Sequence, residues 1–286
     1  MRGLKCGRRD WYLEGVAGSL LFNLLYRHRS FDEALKVIQR AARAFGKLPD
    51  THPEAAMEKA RALRNLAEVQ RVSGSLRQQA RAVASARLAV EALKADEATM
   101  SESEALFKAQ CLTTLATCLD ESGALVEAVA CDEESLRLRR ILYGEGRTVY
   151  QADYAYGHYQ LAIRKHRTGD NGATRTAAAE AVVHYEAALP NGPERIAAFL
   201  AESLAILAGM ELASDKPAKA IELLVRAISV LRPHYQRSAD LWFPNLLPLC
   251  TKYVEACGAA GIQYNKSLVE DVIRQAMADA SRGTGS

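Results

Sequence analysis

The sequence predicts an all-α chain assembled from repeated antiparallel helix pairs, and three observations carry that prediction. Glycine and proline are sparse, 18 and 8 of 286 residues, while alanine is abundant wherever the apolar spacing is helical. Alternating β-branched runs of the kind that form strands are nearly absent. A large apolar residue followed by a small one recurs about every 46 residues through nearly the whole chain.

The recurring pair stands at Leu21-Phe22, Leu66-Ala67, Leu115-Ala116, Leu161-Ala162, Leu207-Ala208 and, more weakly, Tyr253-Val254. Successive pairs lie 45, 49, 46, 46 and 46 residues apart. Eight residues after each comes a turn position: Gly74, Gly123, Gly169 and Gly261, with Arg29 and Asp215 in the first and fifth units. Thirteen after it comes a small helix-B position, filled by Ala34, Ala128 and Ala220, with Gln79 and Thr174 as imperfect matches. Seven further on stand Ala41, Ala86, Ser135, Ala181 and Ala227. The spacing has a physical cause. Small residues let two helices approach closely, and a residue able to adopt the left-handed conformation ends helix A.

The elements then follow in order, near 11–28, 31–46, 54–73, 76–94, 101–122, 124–142, 148–168, 171–189, 193–213, 216–233, 238–260 and 265–281. Several starts carry cap signals: Ser30 before Phe31-Asp32-Glu33, Ser101 with Glu104 three residues on, and Pro193-Glu194. The last segment lacks the small helix-B residues and is polar on one face, as expected of a helix that closes the final apolar surface. No composition shift divides the chain, so one domain over 1–286 is expected, with a flexible start (1–10) and a short tail (282–286).

Composition limits function. Hydrophobic residues make up 49% and charged residues 25%, values ordinary for a globular protein. No stretch reaches about 18 uninterrupted apolar residues, and Trp11–Glu14 interrupts any signal core. A cytoplasmic location is expected. The six cysteines form no CxxC pair and have no histidine at zinc-ligand spacing, so they read as small core residues. His158 and His166, eight apart, are too distant for one metal ion on a straight helix. There is no GxGxxG, phosphate loop, HExxH or Gly-flanked nucleophilic serine. No catalytic residue, metal or cofactor is expected, and the chain does not read as an enzyme.

The strings RSFDEALKVIQRAARAF, SGALVEAVACDEESLRLRRILYGEG and SDKPAKAIELLVRAISVL resemble tetratricopeptide helix-B segments with their preceding turns, and LYGEG at Leu142–Gly146 is similar to the inter-repeat segment of kinesin-light-chain-type repeats. The resemblance covers roughly Val16 to Ile262 and departs from the usual unit in its period, about 46 rather than about 34 residues. It implies a right-handed superhelical solenoid of about six helix pairs with a C-terminal capping helix. Helix-A faces would then line a concave, peptide-binding groove.

Carried over residue by residue, the resemblance places Ser19, Asn23 and Arg27 in that groove from the first unit. The second unit adds Arg61, Arg64, Asn65 and Glu68; the third Gln110, Thr113 and Thr117; the fourth Tyr156, Tyr159, Ile163 and Arg167. The fifth is bare, with Glu202, Ala205 and Gly209. A carboxylate clamp is disfavoured: Asn23 and Asn65 match its asparagines, but Ser19, Gln110 and Thr114 stand where its cations should be.

Charge is uneven. Residues 1–100 carry 18 Lys/Arg against 11 Asp/Glu, while the whole chain is only +3. Lys59, Arg61, Arg64, Arg71, Arg77, Arg81 and Arg87 cluster on one helix pair. They suit either an acidic ligand or an ordinary solvated surface. The function expected is a scaffold or adaptor that binds a protein or peptide, acidic where it meets this cluster; the alternative is a ligand- or peptide-sensing regulatory subunit. A membrane partner is not expected, nucleic acid is disfavoured by the acidic second half, and self-association is left open.

Overall fold

A computed structural model describes residues 10–49, 52, 54–73, 76–93, 100–144 and 146–283. The expected turn glycine Gly74, Cys6, Glu145 of the LYGEG segment, and the expected mobile residues 1–9 and 284–286 lie outside that set. The described residues contain twelve α-helices, two short 3₁₀ turns and no strand. The chain divides into two compact units, Met1–Leu142 and Tyr143–Ser286.

The first unit holds α1 (Trp11–Arg27), α2 (Phe31–Phe45), α3 (Ala55–Val72), α4 (Leu76–Ala92), α5 (Glu102–Glu121) and α6 (Leu125–Tyr143), which runs to the unit boundary. The second holds α7 (Gln151–Arg167), α8 (Asn171–Ala188), α9 (Arg195–Ala213), α10 (Pro217–Arg237), α11 (Ala239–Ala259) and α12 (Lys266–Gly283). Within each unit odd-numbered helices pair with the even-numbered helix that follows, as α1 with α2 and α7 with α8, and each pair packs on the next.

Each described turn from helix A to helix B is built the same way. Arg29, Gly123, Gly169, Asp215 and Gly261 all have positive φ, at 58°, 87°, 77°, 55° and 67°. The next residue donates its N–H back to a carbonyl five residues earlier: Ser30 to Leu25, Ala124 to Leu119, Asp170 to Lys165, Lys216 to Glu211 and Ile262 to Cys257, at 2.9–3.0 Å. These are Schellman closures, which satisfy carbonyls that the helix end would leave open. Asp170 serves twice, since its carboxylate also accepts from Ala173 N at 3.0 Å and caps α8.

The small positions form the contacts inside each pair. Ala34, Ala41, Ala86, Ala128, Ala181, Ala220 and Ala227 are wholly buried, as are Ala67, Ala116 and Ala162 of helix A, while Thr174 and Ser135 are buried without being apolar. In α4 the contact with Ala67 is taken by Ala82 and Ala86 rather than by Gln79, which is only half-buried. The cysteines behave as core: Cys111, Cys118, Cys250 and Cys257 are buried, and burial pushes the thiols of Cys111 and Cys118 up to about 12.

Ser101 and Glu104 form the anticipated capping box. Ser30, by contrast, makes no side-chain cap bond to α2. Its backbone N–H is already committed to Leu25 O in the turn, and its carbonyl accepts from Ala34 N at 2.9 Å. Helix α9 begins after Pro193-Glu194 and has no side-chain cap. Helix α10 does not stop at Pro233 but continues to Arg237. Packing outweighs the lost N–H donor there: His234 lies against Trp242, 4.8 Å between ring centroids, and the Tyr235 hydroxyl donates to Gln275 Oε1 at 2.7 Å.

Helix α9 is long and apolar enough to cross a membrane. It is instead the core helix of the second unit, with Ile196, Leu200, Ala201, Leu204 and Ala208 buried between α7, α8, α10 and α11. Helix α12 covers α11 through Val269 and Val272, and Arg232 holds it by donating to Leu268 O at 2.7 Å and pairing with Asp271 at 3.0 Å.

Two predictions follow from these contacts. A non-glycine residue in the left-handed region costs about 1–2 kcal/mol, of which the added freedom of glycine in the unfolded chain takes back part. Arg29→Gly should therefore stabilise the protein by about 0.5–1 kcal/mol, and Asp215→Gly by less because Asp tolerates that conformation better; thermal denaturation checks both. Ala208→Arg should destabilise by about 3 kcal/mol or more, since it forces charge and volume into a closed contact. Ala178, expected at the sequence level to be partly exposed, is fully buried against Ala162, so Ala178→Arg should be as damaging in the same measurement.

Candidate functional site

Each unit presents a helix-A face, and the two differ in chemistry. In the first unit the face of α3 and α5 is polar and closed by its own pairings. Arg64 donates from Nη1 to Gln110 Oε1 at 2.9 Å, and the guanidinium groups of Arg61 and Arg64 lie 4.9 and 5.3 Å from the centre of the same Phe107 ring. Arg61 also pairs with Glu58 at 3.2 Å. Arg71 bridges Glu68 at 3.1 Å and Glu121 at 2.7 Å, and these two carboxylates outweigh the effect of its burial and hold its pKa up. Arg87 pairs with Glu127 at 2.6 Å.

The basic cluster of the second repeat is therefore partly spent on structure. Among the described residues Arg61, Arg71 and Arg87 have carboxylate partners, whereas Arg64 meets a neutral amide and a ring. Asn23 and Arg27 stand exposed on α1; Asn65 and Thr117 are half-buried on α3 and α5. Two of the expected groove residues lie elsewhere. Ser19 is buried in α1. Thr113 is buried against α6, with its hydroxyl 3.0 Å from Ser135 Oγ and 3.2 Å from Arg139 Nη1. The Ser135 hydroxyl in turn donates to Ala109 O at 2.7 Å. A hydroxyl so engaged in the interior cannot meet a ligand.

In the second unit the helix-A face is an open groove of about 560 Å³. Helix α7 contributes Tyr159, Ile163 and His166; α9 contributes Glu202, Ala205, Ile206, Gly209, Met210 and Ala213; α11 contributes Pro244, Asn245, Pro248, Leu249 and Lys252. The Tyr159 hydroxyl donates to the Glu202 carboxylate, and burial first, then the negative charge of Glu202, raises the tyrosine pKa far above its ordinary value. Behind it Tyr156, Tyr159, Phe199 and Tyr185 form an aromatic layer with neighbouring ring centroids 5.2–6.1 Å apart. Arg167 is exposed at the end of α7 and is not among the lining residues.

Why this groove is open follows from its residues. Ala205 and Gly209 occupy the middle of α9, and a Cβ placed on Gly209 would meet no atom within 4 Å. Opposite them, Pro244 and Pro248 interrupt α11's donors. Proline has no N–H, so the carbonyls of Asp240 and Pro244, four residues earlier, lack their usual helical donor. The groove thus combines apolar walls (Ile163, Ile206, Met210, Leu249), a proline-lined edge with backbone acceptors beside it, one amide, and the basic side chains His166 and Lys252. That set suits an extended chain segment with apolar side chains and its own N–H donors. Among the described residues no group of three His, Cys, Asp or Glu side chains is placed to hold a metal ion.

The α11 contributions and Ile206, Met210 and Ala213 of α9 were not among the residues singled out by sequence, and His166 was weighed there only as a metal ligand. The usable signal was present: Pro244, Pro248 and Lys252 recur four apart, which puts all three on one helical face.

With this geometry in hand, the class is clear: an all-α helical-repeat solenoid of tetratricopeptide-like fold. Neither a protein-family model nor a curated relative matches the sequence. Solved structures do match in fold. BtubC (BKLC) from P. vanneervenii is similar over 90% of this chain and 93% of its own, at 14% identity and a TM-score of 0.67. The apo form of RapI is similar over 94% of this chain and 84% of its own, at 14% identity and a TM-score of 0.66. A Podosopora anserina protein of nearly identical tetratricopeptide-like repeats, assigned as a kinesin light chain, matches 81% of this chain and all of its own, at 18% identity and a TM-score of 0.56.

The Tyr159–Glu202 bond ties α7 to α9 on the groove floor. Tyr159→Phe should lower stability by about 1 kcal/mol, read from chemical denaturation, because the Glu202 carboxylate loses a donor in a largely buried setting.

Proposed function

We propose that this protein is a non-catalytic scaffold or adaptor that binds an extended peptide segment of a partner protein along the helix-A groove of its second unit. The observation that carries the reading is the 560 Å³ groove itself, open above Ala205 and Gly209 and bordered by apolar walls with a few polar groups at its edges. The ligand would lay apolar side chains against Ile206, Met210 and Leu249 and direct an acidic group toward His166 and Lys252. Its backbone N–H groups would find the acceptors beside Pro244 and Pro248.

In the first unit, Arg64 and the exposed Asn23 offer a second, weaker polar surface that suits an acidic segment. Charges of this kind act mainly on the association rate and weaken with salt.

Gly209 supplies the test. A Cβ at Gly209 meets no atom within 4 Å, so Gly209→Trp should enter the groove with the fold intact, as helical circular dichroism and melting temperature would verify. Peptides selected from a random extended-peptide library on the wild-type chain should bind Gly209→Trp at least about 30-fold more weakly, the loss expected when about 2 kcal/mol of buried anchor contact is blocked. Selected peptides that bind the variant with unchanged affinity would place the binding surface elsewhere.

A further inference from the structure

The first helix carries an apolar stripe that faces away from its own partners. Leu13, Leu20 and Leu24 are 61%, 63% and 57% exposed, and Ala17 lies exposed between them. The positions of Ala17 and Leu24 recur in later helices A. Their equivalents Ala62 and Val69 on α3, Ser203 and Met210 on α9, and Leu249 and Ala256 on α11 are all buried. Each of those helices packs on the helix B that precedes it, α3 on α2, α9 on α8 and α11 on α10. Helix α1 has no preceding helix B among the described residues. Ala17 and Leu24 thus stand on the stacking surface of a helix A with no described helix over it, and Leu13 and Leu20 widen that surface into a continuous apolar stripe.

The stripe also reads the same in both directions. Asp10, Leu13, Ala17, Leu20, Leu24 and Arg27 are spaced three, four, three, four and three residues apart, the spacing of a helix–helix seam. Laid antiparallel on a second copy about a two-fold axis, Leu13 meets Leu24, Ala17 meets Leu20, and exposed Asp10 meets exposed Arg27 at both ends. Parallel pairing would instead oppose like charges. Beside the stripe, Glu14, Ala17, Gly18, Leu21, Val37 and Arg40 line a hollow of about 250 Å³, room for a leucine side chain. Its rim is fixed by the Glu14–Arg40 ion pair at 2.7 Å.

We infer that the α1 stripe is a self-association surface, and that its occupant is the same stripe of a second copy of this chain, antiparallel and two-fold symmetric. An interface of this kind is isologous, each contact occurring twice.

Sedimentation equilibrium of the full chain over a range of concentrations tests this. The wild type should show a monomer–dimer equilibrium. Leu20→Glu with Leu24→Glu, both at exposed positions, should weaken dimerisation roughly 100-fold or more while the helical signal and melting temperature stay unchanged. Arg27→Asp should weaken it less, and adding Asp10→Arg should recover it even though Asp10 also caps α1, a rescue that only an antiparallel pairing gives. A wild type that is monomeric at every concentration overturns the inference. So does a dimer indifferent to the leucine changes, or a dimer that forms only after residues 1–9 are removed, since that segment would then be the occupant.

Discussion

The contact on which the molecule depends is the close approach of helix A and helix B at small residues. Ala67 against Ala82 and Ala86 in the first unit, and Ala162 against Ala177 and Ala178 in the second, bring two backbones together with almost no side chain between them. Such contact gives little hydrophobic gain per residue; its effect is geometric. It fixes each pair as a thin, rigid block, and the larger side chains are displaced to the surfaces where blocks meet. Phe199, Tyr185, Leu200 and Leu246 fill those junctions in the second unit. The left-handed turn makes the approach possible, because a longer connection would let the second helix drift off the alanine face.

The groove is a by-product of the same arrangement. Helix α9 is apolar around most of its circumference because it is covered on several sides by neighbours, and this also explains why its composition resembles a membrane span. Its one uncovered strip has Ala205 and Gly209, residues too small to fill the space between α7 and α11. In the first unit the positions of Ala205 and Gly209 are taken by Arg64 and Glu68, and Arg61 and Arg64 lie over the ring of Phe107, itself packed in the core with Ala60, Leu63 and Cys111. Two long charged side chains in place of an alanine and a glycine separate the polar face of the first unit from the open groove of the second.

The repeat was legible because its cause is local. Turn residues and small positions each answer to backbone geometry within one pair, so Arg29 and Asp215 could be recognised as turn residues despite being neither glycine nor asparagine, and both have the left-handed φ the turn demands. What was not legible depends on which residue of another helix meets a given side chain. Arg71 reads as one cation of a basic cluster until Glu121, 50 residues on, pairs with it. Thr113 reads as a groove hydroxyl until Ser135 and Arg139 of the next helix claim it. Ala178 reads as half-exposed because nothing in its own helix shows that Ala162 packs against it. The α11 wall was missed for a simpler reason: two prolines within a helix draw attention to where a helix should end, not to the surface they form.

The first and last described helices leave different surfaces, and the difference bears on how copies of this chain could pair. Helix α12 lays Val269 and Val272 on α11 and turns Glu270, Asp271 and Arg274 outward, so that side of the second unit ends in a solvated surface. Head-to-tail growth requires an apolar patch at one terminus and its complement at the other; here the complement is already occupied from within the chain. Stacking of helix pairs is open-ended in principle, and nothing in the repeat itself says when to stop. Among the described residues α12 supplies that stop on α11, and an α1 stripe paired as inferred would close on itself as a two-fold pair rather than continue as a filament.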